Sequence, residues 1–303
     1  MQGERNMFLE AKSISKSFGD KRALQDVTMN IKENEVLGVI GHNGAGKTTL
    51  FKLLLSMYQP NEGEIVVHES PFHLKNDVGY LPEERGLYGK TDVYSQLLAF
   101  GYLKGKKKQV LVPQIHFWLD YFELQHDKRQ LVANLSKGNQ QKVQFITAVL
   151  HQPKLLILDE PFSGLDPLHV ERFTNAMTYM KQQGSTILYS SHLIKGMEQL
   201  TDRILLLKQG EVVFQECIEA IRGRYGYLCT IKNPCLQKDM LIELGYPFSA
   251  DNGTYVIELK QKSDVNAIVN QIPLEQNEWF TIEPMSLEAI FKRVNREVQK
   301  VEQ

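Results

Sequence analysis

The stretch Gly41-His42-Asn43-Gly44-Ala45-Gly46-Lys47-Thr48 carries the clearest chemistry in the sequence. It fits G-x-x-x-x-G-K-S/T in full and stands between an apolar run and a helical one, the context in which that spacing grips a triphosphate. Its glycines let the backbone curl until successive N–H groups point at phosphate oxygens, and the following helix turns its positive N-terminal end toward the same charge. Lys47 is expected on the β and γ phosphates and the Thr48 hydroxyl on Mg²⁺, with Gly41 through Thr49 as the nucleotide-contacting set. A dinucleotide site fits less well, because the glycines do not follow G-x-G-x-x-G and neither Glu62 nor Glu64 closes a second strand. A second constellation is Leu155-Leu156-Ile157-Leu158-Asp159-Glu160-Pro161, with two acids at the end of an apolar strand. Unpaired carboxylates there would be costly, whereas beside a Mg²⁺ nucleotide one holds the metal and the other polarises a water. Asp159 is therefore assigned to the metal and Glu160 to the attacking water.

These groups need a scaffold. Residues Phe8 to Ile31 alternate apolar and polar around a turn signal at Phe18-Gly19-Asp20, which reads as antiparallel edge strands. Glu35 to Ile40, Leu155 to Leu158 and Thr186 to Ser190 are short apolar runs separated by helical stretches, one of them Thr48 to Met57. That pattern predicts an α/β fold with a parallel core sheet covered by helices. Tyr94 to Glu123 reads as a mostly helical insertion interrupted at Lys104-Gly-Lys-Lys-Lys108 and at Pro113, and the basic run reads as a solvated loop rather than a nucleic-acid contact. From about Tyr225 three strands (Tyr227 to Ile231, Tyr255 to Leu259, Trp279 to Ile282) interleave with helices near Gln237 to Leu244, Asp264 to Gln271 and Ser286 to Val298. The expected domains are 1–222, with a helical insertion over about 84–150, and a small α+β domain over 223–303.

Composition narrows the class. Lys plus Arg number 35 and Asp plus Glu 36, so no overall basic field gathers nucleic acid or anionic lipid. Cys217, Cys229 and Cys235 form no CxxC pair and suit a reducing compartment as ordinary thiols. Glu4, Arg5, Glu10 and Lys12 leave no apolar leader at the N-terminus. The most apolar runs fall far short of the roughly 20 residues of a membrane-spanning helix, so a membrane role would be borrowed from a partner.

Leu135-Ser136-Lys137-Gly138-Asn139-Gln140-Gln141, shortly before the Asp159 strand, resembles the signature motif of the ATP-binding subunits of ABC transporters. Ser163-Gly164-Leu165-Asp166 resembles that family's D-loop, Ser191-His192 its switch histidine, and Phe18 stands where its adenine-stacking aromatic stands. The resemblance runs over roughly Phe8 to Val213 and implies a P-loop NTPase cassette using ATP and Mg²⁺. It also implies a head-to-tail pair, a homodimer, in which Ser136 and Gly138 of one copy touch the γ-phosphate on the Gly41–Thr48 loop of the other. His192 would contact that phosphate and hold the water that Glu160 activates. An integral-membrane permease subunit is the implied second partner, with the chain peripheral at the cytoplasmic face of the membrane.

Two departures stand out. LSKGNQQ replaces the commoner LSGGQQ, and Glu83 in Tyr80-Leu81-Pro82-Glu83-Glu84-Arg85 stands where the family has a Gln that touches Mg²⁺, a metal a carboxylate also ligates. PEERGLY resembles the branch of bacterial ABC-2 exporters that includes sodium-extruding types, and Ser286 to Phe291 resembles that branch's extra C-terminal domain. The expected function is therefore an energy-coupling ATPase of an exporter. A soluble ABC protein acting on ribosomes or DNA is the alternative, but it would carry two cassettes or a long coiled coil. A module that holds ATP without turnover fits poorly with Lys47, Glu160 and His192 all present.

Overall fold

The structure, a computed structural model, describes residues 6–84, 86–191, 197–233, 236, 238–271 and 278–299. Its contacts divide the chain into two units, Met1–Gln215 and Glu216–Gln303, whereas the sequence placed the division after residue 222.

In the first unit the alternating N-terminal stretch forms β1 (Met7–Phe18) and β2 (Lys21–Lys32), paired antiparallel and folded back at Gly19–Asp20. β4 (Glu62–Val67) joins the other side of β1, giving a three-stranded sheet in the order β2-β1-β4. The three short apolar runs become β3 (Val36–Ile40), β6 (Leu155–Leu158) and β7 (Thr186–Ser191), joined by β5 (Val78–Leu81) and β8 (Arg203–Lys208). They lie parallel in a second sheet, with β9 (Glu211–Cys217) reached from β8 through Gln209–Gly210, in the order β5-β6-β7-β3-β8-β9. Every residue of β3, β6 and β7 is buried, as strands covered on both faces require.

The helices of this unit are α1 (Lys47–Leu54), α2 (Leu74–Asp77), α3 (Val93–Leu103), α4 (Lys108–Tyr121), α5 (Lys137–Val149) and α6 (Pro167–Gln182), of which the four-residue α2 buries none of its side chains. Three begin at a side-chain cap: Asp92 accepts from Ser95 N at 3.0 Å, Ser136 from Asn139 N at 3.2 Å and Asp166 from His169 N at 2.9 Å. Leu50, Phe51 and Leu54 of α1 bury against Leu37, Val39, Ile157 and Leu205 of the sheet, each contributing about 1.5–3 kcal/mol. Trp118, Phe122, Phe145 and Phe173 stack and edge against one another and tie α4, α5 and α6 together.

Two expectations for the insertion need correction. Pro113 lies inside α4 rather than interrupting it. It lacks an N–H for the Gln109 carbonyl, yet burial of Leu111, Ile115, Trp118 and Leu119 holds the helix through that loss. Lys104 is not simply solvated, since its Nζ donates to Val78 O at 2.7 Å and burial lowers its pKa.

The second unit runs β10 (Tyr227–Lys232), α8 (Lys238–Glu243), β11 (Phe248–Asp251), β12 (Thr254–Leu259), α9 (Lys262–Gln271) and β13 (Trp279–Pro284), preceded by α7 (Ile218–Tyr225) and followed by α10 (Leu287–Gln299). The strands are antiparallel in the order β11-β12-β10-β13, a ferredoxin-like β-α-β-β-α-β arrangement. β11 escapes sequence reading because Ser249, Ala250 and Asp251 have little strand preference and become a strand by pairing with β12. Cys229 is buried in this core, and burial pushes its thiol up to about 11, while Cys217 is exposed. Cys235 and Gln237 lie outside the described residues, as do His192 and Arg85. Among the described residues no helix is long and apolar enough to cross a membrane.

Candidate active site

The buried strand β3 delivers the chain to Gly41, where a Cβ would sit 2.4 Å from Leu207 O, so only glycine lets the loop leave the sheet against β8. At the other end Gly46 caps α1 with φ 106 and no side-chain bond, and a Cβ there would meet Ala23 O at 2.6 Å. The first N–H groups of α1 have no intrahelical acceptor, which makes the loop an anion cradle.

Lys47 folds back over this cradle. Its Nζ donates to Gly41 O at 2.8 Å and stands 3.5 Å from Glu160 Oε1, with both side chains 8% exposed. Such a buried pair persists because each ion offsets the other's desolvation, and losing either partner is costly. Thr48 Oγ1 donates to Asp159 Oδ2 at 2.7 Å, so the helix start and the end of β6 meet through two oxygens. Ser190, at the end of the neighbouring β7, uses its hydroxyl twice: it donates to Asp159 Oδ1 at 2.6 Å and accepts from Glu160 N at 2.8 Å. Glu160 itself sits at φ 49, a left-handed conformation that a non-glycine residue holds only where its surroundings enforce it.

These groups open on one cleft of ≈ 570 Å³. Of the sequence-nominated residues, Phe18, Asn43, Gly44, Ala45, Gly46, Lys47, Thr48, Thr49, Glu83, Asp159 and Glu160 line it. Gly41 and His42 stand behind the lining, their carbonyls accepting from Lys47 Nζ at 2.8 and 3.4 Å. Phe18 is 44% exposed and meets Tyr58 edge-on, leaving ring surface for a partner. Burial, with the carboxylates of Asp159 and Glu83 nearby, pushes the Tyr80 hydroxyl up to about 12, so it stays protonated. The donor set suits a phosphate chain with a hard divalent cation: a buried ammonium, helix N–H groups, and hydroxyl and carboxylate oxygens. Ser136 and Gly138 do not line this cleft. They begin α5, with Ser136 exposed at its cap, so one copy of the chain does not bring them to its own loop. His192 lies outside the described residues.

Ser163, which opens the D-loop-like segment, also lines the cleft, as do Lys21 and Ala23, and Ser190 braces both acids, although the sequence reading gave no role to these last three. The signal for Ser190 was present, as a hydroxyl closing an otherwise apolar strand. A second cavity of ≈ 400 Å³ lies beside Phe162, Tyr189 and Leu200, with Glu171 among the described residues that line it.

Comparison with known proteins places this geometry. Residues 24–163 match the family model described as ABC transporter. YhaQ, an ABC transporter ATP-binding protein of Bacillus subtilis strain 168, is 44% identical over 215 residues, covering 70% of this chain and 72% of that protein. The lipopolysaccharide export system ATP-binding protein LptB of Haemophilus influenzae is 29% identical over 217 residues, 68% of this chain and 88% of LptB. A solved structure described as the ATP-binding subunit of an ABC transporter is similar with a TM-score of 0.66 at 30% identity, covering 71% of this chain and 92% of its own.

Proposed function

This chain belongs to the ABC transporter family of ATP-binding proteins, and we propose from that membership that it binds and hydrolyses ATP in the described cleft. It works as one half of a homodimer that powers export through a separate membrane-spanning subunit. The observation that carries the reading is that two residues closing one loop each meet an acid at the end of β6, Lys47 with Glu160 in a buried pair and Thr48 with Asp159 in a half-buried one.

Each group has a role that follows from its surroundings. Lys47 is a buried cation whose present counter-charge is Glu160. Drawn toward the β and γ phosphates, it no longer neutralises Glu160, whose carboxylate then takes a proton from the attacking water. Ser190 keeps the Glu160 main chain and the Asp159 carboxylate in register while that happens. Thr48, Asp159 and Glu83 are the oxygen donors that would hold Mg²⁺, which when bound neutralises charge developing on the phosphoryl oxygens. Phe18 offers its exposed ring to the adenine. Ser136 and Gly138, at the exposed start of α5, close the partner copy's site with a capping hydroxyl and helix N–H groups, and His192 steadies the phosphate. Two copies then hold together while the γ-phosphate lies between them and part once it is gone.

Export, rather than uptake, is supported by the PEERGLY segment, by the C-terminal unit and by the export role in the name of LptB. The decisive experiment is Glu160→Gln in the chain purified with its membrane partner. Turnover should drop by about 10²-fold or more with ATP still bound, and a stable dimer should accumulate. Unchanged turnover would remove Glu160 from the chemistry.

A further inference from the structure

Glu83 is exposed on the cleft wall, but the peptide groups beside it are held from behind by one buried amide. Gln144, on α5 and 2% exposed, donates its Nε2 to Pro82 O at 3.0 Å and to Glu84 O at 3.1 Å, straddling Glu83. Two carbonyl acceptors fix the orientation of that amide, since the reverse would set oxygen against oxygen. Its own Oε1 is buried without a hydrogen-bond partner. The unmet cost of that oxygen offsets much of what the two bonds contribute, so fold stability alone gives little reason for a glutamine here.

Gln96 on α3 repeats the pattern. It is 1% exposed, its Oε1 accepts from Tyr88 N at 2.6 Å, and its Nε2 is buried without a partner. The segment carrying Glu83 is thus pinned at both ends by buried amides that each leave one polar atom unused. On α5 itself, Gln141 donates to Pro161 O at 3.3 Å, the carbonyl next after Glu160. The helix that starts at Ser136 therefore holds main chain beside both Glu83 and Glu160.

We propose that Gln144 is a positioning residue for hydrolysis, setting Glu83 in the cleft through its two flanking carbonyls and so linking α5 to a carboxylate of its own chain's site. The inference rests on the reading of this cleft as an ATP-hydrolysing site.

Gln144→Met keeps the length and removes both bonds, and Gln144→Glu keeps the length with no donor while ionised. With Mg²⁺ and ATP, Gln144→Met should lower kcat about 10-fold while KM for ATP stays within about 2-fold, because the site is misplaced rather than emptied. In a Glu83→Ala background the same change should alter kcat less than about 2-fold, because the group it positions is gone. Gln144→Glu should regain turnover toward acid pH as the introduced carboxyl protonates and donates again, a profile that packing would not produce. Equal effects in both backgrounds, or no acid recovery, would overturn the role. Without turnover, cleavage by glutamyl endopeptidase after Glu83 and Glu84 should accelerate about 10-fold in Gln144→Met at an unchanged melting temperature. Unchanged cleavage overturns the clamp. Faster cleavage in a protein that hydrolyses no ATP at all would support the clamp and defeat the functional reading instead.

Discussion

In the first unit Glu35, Lys47, Lys142, Asp159 and Glu160 are all buried, whereas the described core of the second unit is Cys229, Ile231, Leu236, Leu241, Tyr255, Ile257, Leu259 and Ile268, with Asn233 its buried polar residue among those described. Desolvating an ion costs several kcal/mol after relaxation, so a fold keeps such groups only where partners sit within reach. Lys47 and Glu160 meet that condition at 3.5 Å, and Glu160 adds a left-handed backbone. Among its described residues the second unit shows no comparable cluster, and its sheet is stabilised by apolar burial. The contrast teaches a division of labour, with buried charge gathered in the first unit and an apolar described core in the second.

The sharpest way to break this contrast is Lys47→Ala, which takes the ammonium from beside Glu160 and removes the cation an arriving phosphate needs. ATP affinity by calorimetry should fall about 10³-fold, and retained affinity would detach phosphate binding from the loop. Ile257→Ala probes the other side. It should cost the second unit about 2–5 kcal/mol in denaturant unfolding while turnover stays within about 2-fold. A parallel loss of turnover would erase the division.

Acid provides a third comparison. All eight histidines precede residue 216. His151, buried with its Nε2 on Val78 O at 3.0 Å, is held down to about 4 by burial and by the nearby Lys104. The unfolded chain takes up that proton near pH 6.5 and the folded one resists it. The associated stability is therefore complete above 6.5 and lost as pH falls from 6.5 to 4, a change on the order of 3 kcal/mol. Unfolding of the first unit followed from pH 7.5 to 4.5 should show it, and His151→Gln should flatten that dependence. The smallest effect is at Ser136→Ala, where losing the cap costs about 1 kcal/mol. ATP-driven pairing on a sizing column should weaken while binding of ATP to the single chain does not.

Much of the first unit was legible because its chemistry is local in sequence. The loop from Gly41 to Thr48 is contiguous, and β3, β6 and β7 are apolar runs bounded by turns. What escaped depends on contacts between distant residues. Ser190 gains its role from strand order, which sets β7 beside β6, and Lys47 meets Glu160 across 113 positions of chain, a relation no spacing rule encodes. β5 and β8 went unread because Gly79 and Tyr80 break up the one and Arg203 and Lys208 bound the other with charge, and pairing with β6 and β3 makes them strands. Pro113 misled because its neighbours' burial outweighed the lost bond, and Lys104 because an apparently solvated run hid one lysine anchored to β5.

Gly41 rests on a carbonyl of β8, Gly46 on a carbonyl of β2, and Ala45 O accepts from Gly210 N at 3.0 Å. The loop is thereby braced by the scaffold on three sides before any ligand arrives. Ordering a slack loop would subtract about 1–2 kcal/mol per residue from the affinity of whatever it captures. A braced one spares that loss, so whatever anion enters meets a cradle already in shape, as a key meets a cut lock.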